Sequence, residues 1–200
     1  KLCFTHNSQL AYVIIISGGK MASSDDALLI ATAAGDSGAF EALVLRHQRR
    51  AWNIAARYLG DVQEARDVVQ KAFMRVLQNA HRYEAAGTFG AYLRTIVSRL
   101  CLDYKAKKKA TPKERMSGIA APPDSISSQV HQKAARSAVR HALDLLPPRQ
   151  RLAVVLRYYD GAGYKDISKA LGVSSKAVER LLDRGRKRLG ELLQTAVRSA

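Results

Sequence analysis

Cysteine is scarce in this sequence. Its 200 residues include two, Cys3 and Cys101, far apart and in no C-x-x-C pair. That excludes a disulfide framework and a thiolate zinc site, and it suits a reducing cytoplasm. Proline (5) and glycine (13) are also few, so the chain carries little turn chemistry. No apolar run approaches the roughly 20 residues that span a bilayer. The stretch Leu10–Ile16 is seven residues long and is not followed by a small-residue cleavage site. Acidic residues are outnumbered, 17 against 33 Lys and Arg, for a net charge of +16. Such a balance points to a polyanionic partner, either nucleic acid or an anionic membrane surface, and no small-molecule substrate is expected. Residues 136–200 are the most basic part, with 14 basic residues against 6 acidic.

The marks of an enzyme are missing too. The five histidines (His6, His47, His81, His131, His141) have no metal-ligand spacing. Gly18-Gly19-Lys20 lacks the spacing and the following helix of a phosphate loop. No nucleophile stands beside a base. The reading is therefore not an enzyme, with no catalytic residue, no metal and no cofactor. A membrane-surface protein would need a basic amphipathic helix with aromatic anchors, and the basic residues here are spread over several helices.

What the chain has is alanine and leucine, 31 and 22 residues. Both favour helix, so the expected fold is all-α. Asp25 or Asp26 can cap a short helix over 27–34. Asp36 opens a long one to about Leu59, with Phe40, Leu43, Val44, His47, Ala51, Ile54, Ala55 and Tyr58 at helical spacing. Gly60 suits its C-terminal stop. Asp61 and Glu64 form a capping box before a third helix through Val68, Val69, Ala72, Phe73, Val76 and Leu77. A loop over 82–87 follows. Thr88 then caps a fourth helix to about Lys109.

Residues 110–128 hold Pro112, Pro122, Pro123 and several serines, and they read as a flexible linker. Met21 reads as the native start, with 1–20 a leader. The organisation is thus 1–20 leader, 21–109 first helical domain, 110–128 linker, 129–200 second helical domain. In the second, Pro147-Pro148 breaks a first helix. The next is expected to bury Leu152, Val155, Leu156 and Tyr159, and Gly161 and Gly163 end it.

Residues 164–189, YKDISKALGVSSKAVERLLDRGRKRL, have helix-turn-helix spacing. Ile167 and Leu171 face in, Ser168 is small where the helices cross, and Gly172 takes the positive φ of the turn. Val173 plugs the corner, and Val178 and Leu181 hold the second helix down. That helix exposes Ser175, Lys176, Glu179, Arg180, Asp183, Arg184 and Lys187. Arginine can read guanine in the major groove, glutamate can accept from cytosine N4, and the remaining cations can neutralise phosphates.

On these residues the chain resembles an extracytoplasmic-function (ECF, group 4) sigma factor of bacterial RNA polymerase. GDSGAFEALVLRHQRR, ARYLGDVQEARDVVQKAF and FGAYLRTIVSRLCLDYKAKKK are similar to sigma region 2. The segment from Ala142 to Leu189 is similar to region 4. The resemblance implies a factor that binds core polymerase and directs promoter-specific initiation. Region 2 would dock on the clamp coiled coil of the largest subunit through Asp67, Val69, Gln70 and Phe73. Lys71 stands where the family commonly has an acidic residue. The −10 element would be recognised and melted by Arg82, Tyr83, Thr88, Arg94, Ser98, Arg99 and Lys105. Tyr92 is the lone tyrosine early in that helix, which implies a weak melter. Region 4 would rest on the flap of the second-largest subunit and read the −35 element with the helix from Ser175. Many members have Lys or Arg where Glu179 stands, so a cytosine is expected opposite it. An anti-sigma factor is an expected partner. The alternative is a stand-alone helix-turn-helix regulator.

Overall fold

The computed structural model describes residues 24–83, 88–110 and 129–198, and the expected leader (1–20) and linker (from residue 111) lie outside the described residues. Every regular element among them is helical. Helix α1 covers Asp25–Ala33, and its cap is Ser24, whose Oγ accepts from the Ala27 N–H at 3.2 Å. The two aspartates expected there are drawn away. Asp25 takes Arg46 and His47 Nε2 of the next helix at 2.5 and 2.8 Å, and Asp26 accepts from the Tyr83 hydroxyl at 2.8 Å. Serine caps a helix as well as aspartate does, so the carboxylates are free to join helices together.

Helix α2 (Ser37–Leu59) begins at Asp36, which accepts from the Ala39 N–H at 3.0 Å, and ends at Gly60 with φ 79°. Helix α3 (Val62–Gln78) begins at Asp61, which accepts from the N–H groups of Gln63 and Glu64. Half of the expected capping box forms. The Glu64 carboxylate turns instead to Lys108. A short 3-10 turn, Ala80–Arg82, stands at the start of the expected loop. Helix α4 runs Phe89–Ala110, with Thr88 Oγ1 accepting from the Ala91 N–H. Leu77 was expected in the core and is exposed; it lies on the outer side of α3, one residue past buried Val76.

The second domain comprises α5 (Gln129–Asp144), α6 (Pro148–Val154), α7 (Tyr164–Leu171) and α8 (Ser175–Arg198). Pro148 sits in the first turn of α6, where its missing N–H costs nothing. Past Val154 the backbone widens into a π-helical turn, Val155–Tyr159. Leu152, Val155 and Leu156 are fully buried as expected. Tyr159 is not. The wider turn rotates it out of α register, to 41% exposure, and its ring lies 4.5 Å from the Arg57 guanidinium.

The two helical domains pack together. Helix α4 is gripped by α2 and α3 on one side and by α6 and α7 of the second domain on the other. The apolar core is continuous, from Leu43, Ile54 and Val97 to Leu152, Leu156 and Ile167. Each such side chain stabilises the fold by about 1.5–3 kcal/mol. Truncating fully buried Leu156 to alanine would therefore cost about 2–5 kcal/mol.

Candidate nucleic-acid interface

The helix-turn-helix is built as its spacing requires. Gly172 has φ 62° and ψ 42° between α7 and α8, a left-handed conformation that costs a side chain-bearing residue about 1–2 kcal/mol. Ser168 Oγ donates to the Val173 carbonyl at 2.5 Å, while the Val173 N–H donates to the Ser168 carbonyl at 3.1 Å. These two bonds lock the corner. Ser174 Oγ accepts from the Ala177 N–H and starts α8. Ile167, Leu171, Val178 and Leu182 are buried beneath it; Leu182, rather than the expected Leu181, is the fully covered leucine.

All seven side chains expected to meet DNA from α8 are exposed: Ser175, Lys176, Glu179, Arg180, Asp183, Arg184 and Lys187. Their spacing places them along one side of the helix. Asp183 pairs with Arg186, which softens the local charge but leaves Arg180 and Arg184 beside it. Gly185 breaks the basic run for a packing reason. It is buried where α8 crosses α6, and a Cβ there would meet Val154 Cγ2 at 2.9 Å. The result is an exposed cationic helix on a rigid base, the shape that enters a major groove.

The residues expected at the −10 element are scattered by comparison. Arg82, Thr88 and Arg99 are exposed. Tyr83 is half-buried, its ring 5.3 Å from Tyr92 and its hydroxyl bound to Asp26. Burial and then that hydrogen bond push its phenol up to about 12, so it stays a neutral donor. Lys105 is partly covered, with Nζ 3.8 Å from Asp144. Arg94 and Ser98 are buried, Arg94 against Asp160 and Asp166 of the second domain. Neither can touch DNA in this arrangement, because α7 covers that side of α4.

On α3, Asp67, Gln70 and Lys71 are exposed, with Met74 beside them, and Val69 is half-buried. Phe73 is a core residue, 6% exposed and packed edge-on to Phe40. Its contribution to any docking would be to hold the helix in place. His47 is packed: its ring lies 4.9 Å from Phe89 and Nε2 meets Asp25.

Sequence reasoning missed the charges between the domains. Asp160 binds Arg50 and Arg94, and Asp166 lies beside Arg94. Arg151, 1% exposed, binds Asp144 and donates to the Arg57 carbonyl at 3.2 Å, with its guanidinium 5.4 Å from the Tyr58 ring. That carbonyl belongs to the last turn of α2, where a cation is favoured by the helix dipole. Among the described residues no group of three or more His, Cys, Asp or Glu is placed to hold a metal, and no helix is long and apolar enough to cross a membrane.

Fold and surface define a two-domain helical protein with an exposed cationic helix in a helix-turn-helix. The chain matches the Sigma-70 region 2 family over residues 43–111 and the Sigma-70, region 4 family over 136–189. It is 31% identical over 176 residues to the ECF RNA polymerase sigma factor SigM of Mycobacterium tuberculosis, covering 88% of each chain. It is 32% identical to the ECF RNA polymerase sigma factor SigE of Mycolicibacterium smegmatis, over 80% of this chain and 65% of that one. The solved structure of CnrH in complex with the cytosolic domain of CnrY matches with a TM-score of 0.65 at 26% identity, over 86% of this chain and 99% of that one. The sigma factor RpoE of Bartonella quintana, solved with the anti-sigma factor NepR, shares the fold (TM-score 0.64, 23% identity, 78% and 96% covered). The chain belongs to the ECF RNA polymerase sigma factors, and it directs RNA polymerase to promoters. The stand-alone regulator is not favoured.

Proposed function

We propose how the work of initiation is divided along the chain. Region 2 docks on the clamp coiled coil of the largest polymerase subunit through the outer side of α3, with Asp67 and Gln70 in contact, Val69 at the edge and Phe73 beneath. Region 2 recognises and melts the −10 element with Arg82, Tyr83, Thr88, Arg94, Ser98, Arg99 and Lys105. Unstacking a base costs a few kcal/mol, which this set of residues must offset. Region 4 rests on the polymerase flap and reads the −35 element with Ser175, Lys176, Glu179, Arg180, Asp183, Arg184 and Lys187. The chain works in the cytoplasm without catalytic chemistry of its own. An anti-sigma factor holds it in reserve, a reading supported by CnrH, which was solved holding the cytosolic domain of CnrY.

The observation that carries this division is the exposure of all seven α8 side chains on a corner locked by Gly172 and Ser168. The test is run-off transcription with purified core polymerase, the protein and a pool of random promoters, followed by sequencing of the transcripts. A shared −35/−10 motif among initiated templates is expected. Specific DNA binding by the protein alone, with no initiation in the presence of core polymerase, would overturn the proposal.

A further inference from the structure

Two carboxylates, Glu179 and Asp183, stand one turn apart among the cations on the reading side of α8. A carboxylate brought to a duplex is repelled by its phosphates, so its presence there calls for compensation. Asp183 has it. Arg186 Nη2, three residues further along the helix, donates to Asp183 Oδ1. That leaves Oδ2 as an acceptor. The Tyr158 hydroxyl, from the π-helical turn, lies close to the same guanidinium. Helical spacing puts Arg186 at the edge of the reading side, where a carboxylate of its own helix and a phenol of the preceding segment both engage it.

This pair is not a device of the fold. The Arg186 and Asp183 side chains are 57% and 56% exposed, and an exposed ion pair contributes little to stability in water. Its effect differs where water is excluded. A duplex seated on α8 dehydrates the pair, which strengthens it and fixes the direction of the carboxylate. A fixed carboxylate discriminates among bases, because it can only accept. In the major groove cytosine presents the N4 donor alone. Adenine sets its N7 acceptor beside its N6 amine, and guanine and thymine present acceptors without a donor. Cytosine is the base that suits it.

We propose that Arg186 is a positioning residue that sets base specificity in the −35 reader. It holds Asp183 with Oδ1 occupied and Oδ2 offered to a cytosine N4–H, and it offsets the repulsion between that carboxylate and the flanking phosphates. The proposal rests on the assignment of Asp183 and its neighbours to the −35 element. Glu179 and Asp183 are about 6 Å apart along the helix axis, so they meet different base pairs. Glu179 lies two turns from Arg186 and reads its base without it. The −35 element therefore holds a second cytosine near the one opposite Glu179.

The experiment is selection of initiated promoters from a random pool by holoenzyme, with sequencing, for the parent chain, Asp183→Ala, Arg186→Ala and Arg186→Lys. The parent is expected to enrich cytosine at two −35 positions, and Asp183→Ala to erase one of them. Arg186→Ala should cut the enrichment at that same position by roughly fivefold or more and leave the Glu179 position unchanged. Arg186→Lys keeps a cation and should recover part of the loss. Thermal unfolding of the full chain should not distinguish the variants, since the pair is exposed. Full enrichment in Arg186→Ala at the position that Asp183→Ala erases overturns the proposal, because the carboxylate then needs no partner. So does an equal loss at every −35 position, which would make Arg186 a general phosphate contact. If Asp183→Ala alters no position, the assignment of Asp183 to the −35 element fails and the proposal falls with it; the two failures are thus told apart.

Discussion

Arg151 and Asp144 form an unequal pair, and the inequality can be measured. Arg151 is 1% exposed and its Nε has no partner, whereas the Asp144 side chain is 38% exposed. Removing the aspartate strands a buried cation. Removing the arginine leaves a carboxylate that water and Lys105 can serve. Asp144→Ala is expected to cost about 3 kcal/mol, and Arg151→Met about 1 kcal/mol through the lost bond to the Arg57 carbonyl. Urea unfolding of both variants checks the order, and a costlier Arg151→Met would contradict this account. Glu179 makes a second residue-scale prediction. It is exposed one turn into α8, between Lys176 and Arg180, and it should accept from a cytosine N4. Glu179→Ala should erase the preference at that −35 position and cost about 1–3 kcal/mol on the preferred site. Selection of promoters by the variant holoenzyme reads both. The exposure of Glu179 was legible because helical spacing is local. The burial of Arg94 and Ser98 was not, since nothing near them in the chain announces a covering helix.

At the scale of the element, the sequence carried most of the information. Asp36, Asp61, Gly60 and Gly172 stop and start helices where their chemistry requires. The errors came where a side chain had a better partner at a distance, as with Asp25 and Glu64, or where the helix changed its own geometry, as in the π-helical turn that expels Tyr159. Gly185 interrupts a basic run, and it lies where α8 packs directly on Gln150 and Val154 of α6. An alanine there would gain about 1 kcal/mol of helix propensity. Against this stands a Cβ at 2.9 Å from Val154 Cγ2, on a stiff, buried, β-branched side chain. Overpacking of this kind costs about 1–3 kcal/mol, so Gly185→Ala should be destabilising on balance, by about 1 kcal/mol. It should also tilt α8 on its base and weaken −35 binding while leaving every DNA-facing side chain in place. Thermal unfolding and duplex binding by the full chain test the two effects. A more stable variant would mean that α8 slides to make room.

The whole molecule is where sequence reading ended, because Arg50 and Asp160 are 110 residues apart and neither bears a local mark of the other. Composition divided the chain correctly into two helical domains but could not say that they close on each other. Closure has a thermodynamic consequence. The apolar core runs through both domains, and charged groups tie them at two places, Asp160 to Arg50 and Arg94, and Arg151 to the Arg57 carbonyl. Unfolding either domain would therefore expose apolar surface on the other, so the parent protein should melt in a single calorimetric transition. Salt should do little to divide it. At 1 M the Debye length is about 3 Å, which screens exposed pairs but reaches poorly into a site as covered as Asp160. Asp160→Asn should act differently, because it removes the charge while leaving the shape. The exposed Arg50 and the buried Arg94 then face a neutral amide, and Arg94 can recover its hydration only if the domains separate. Two transitions are expected from this variant at the same low salt at which the parent shows one. Two transitions in the parent itself would show that a shared core can persist without energetic coupling.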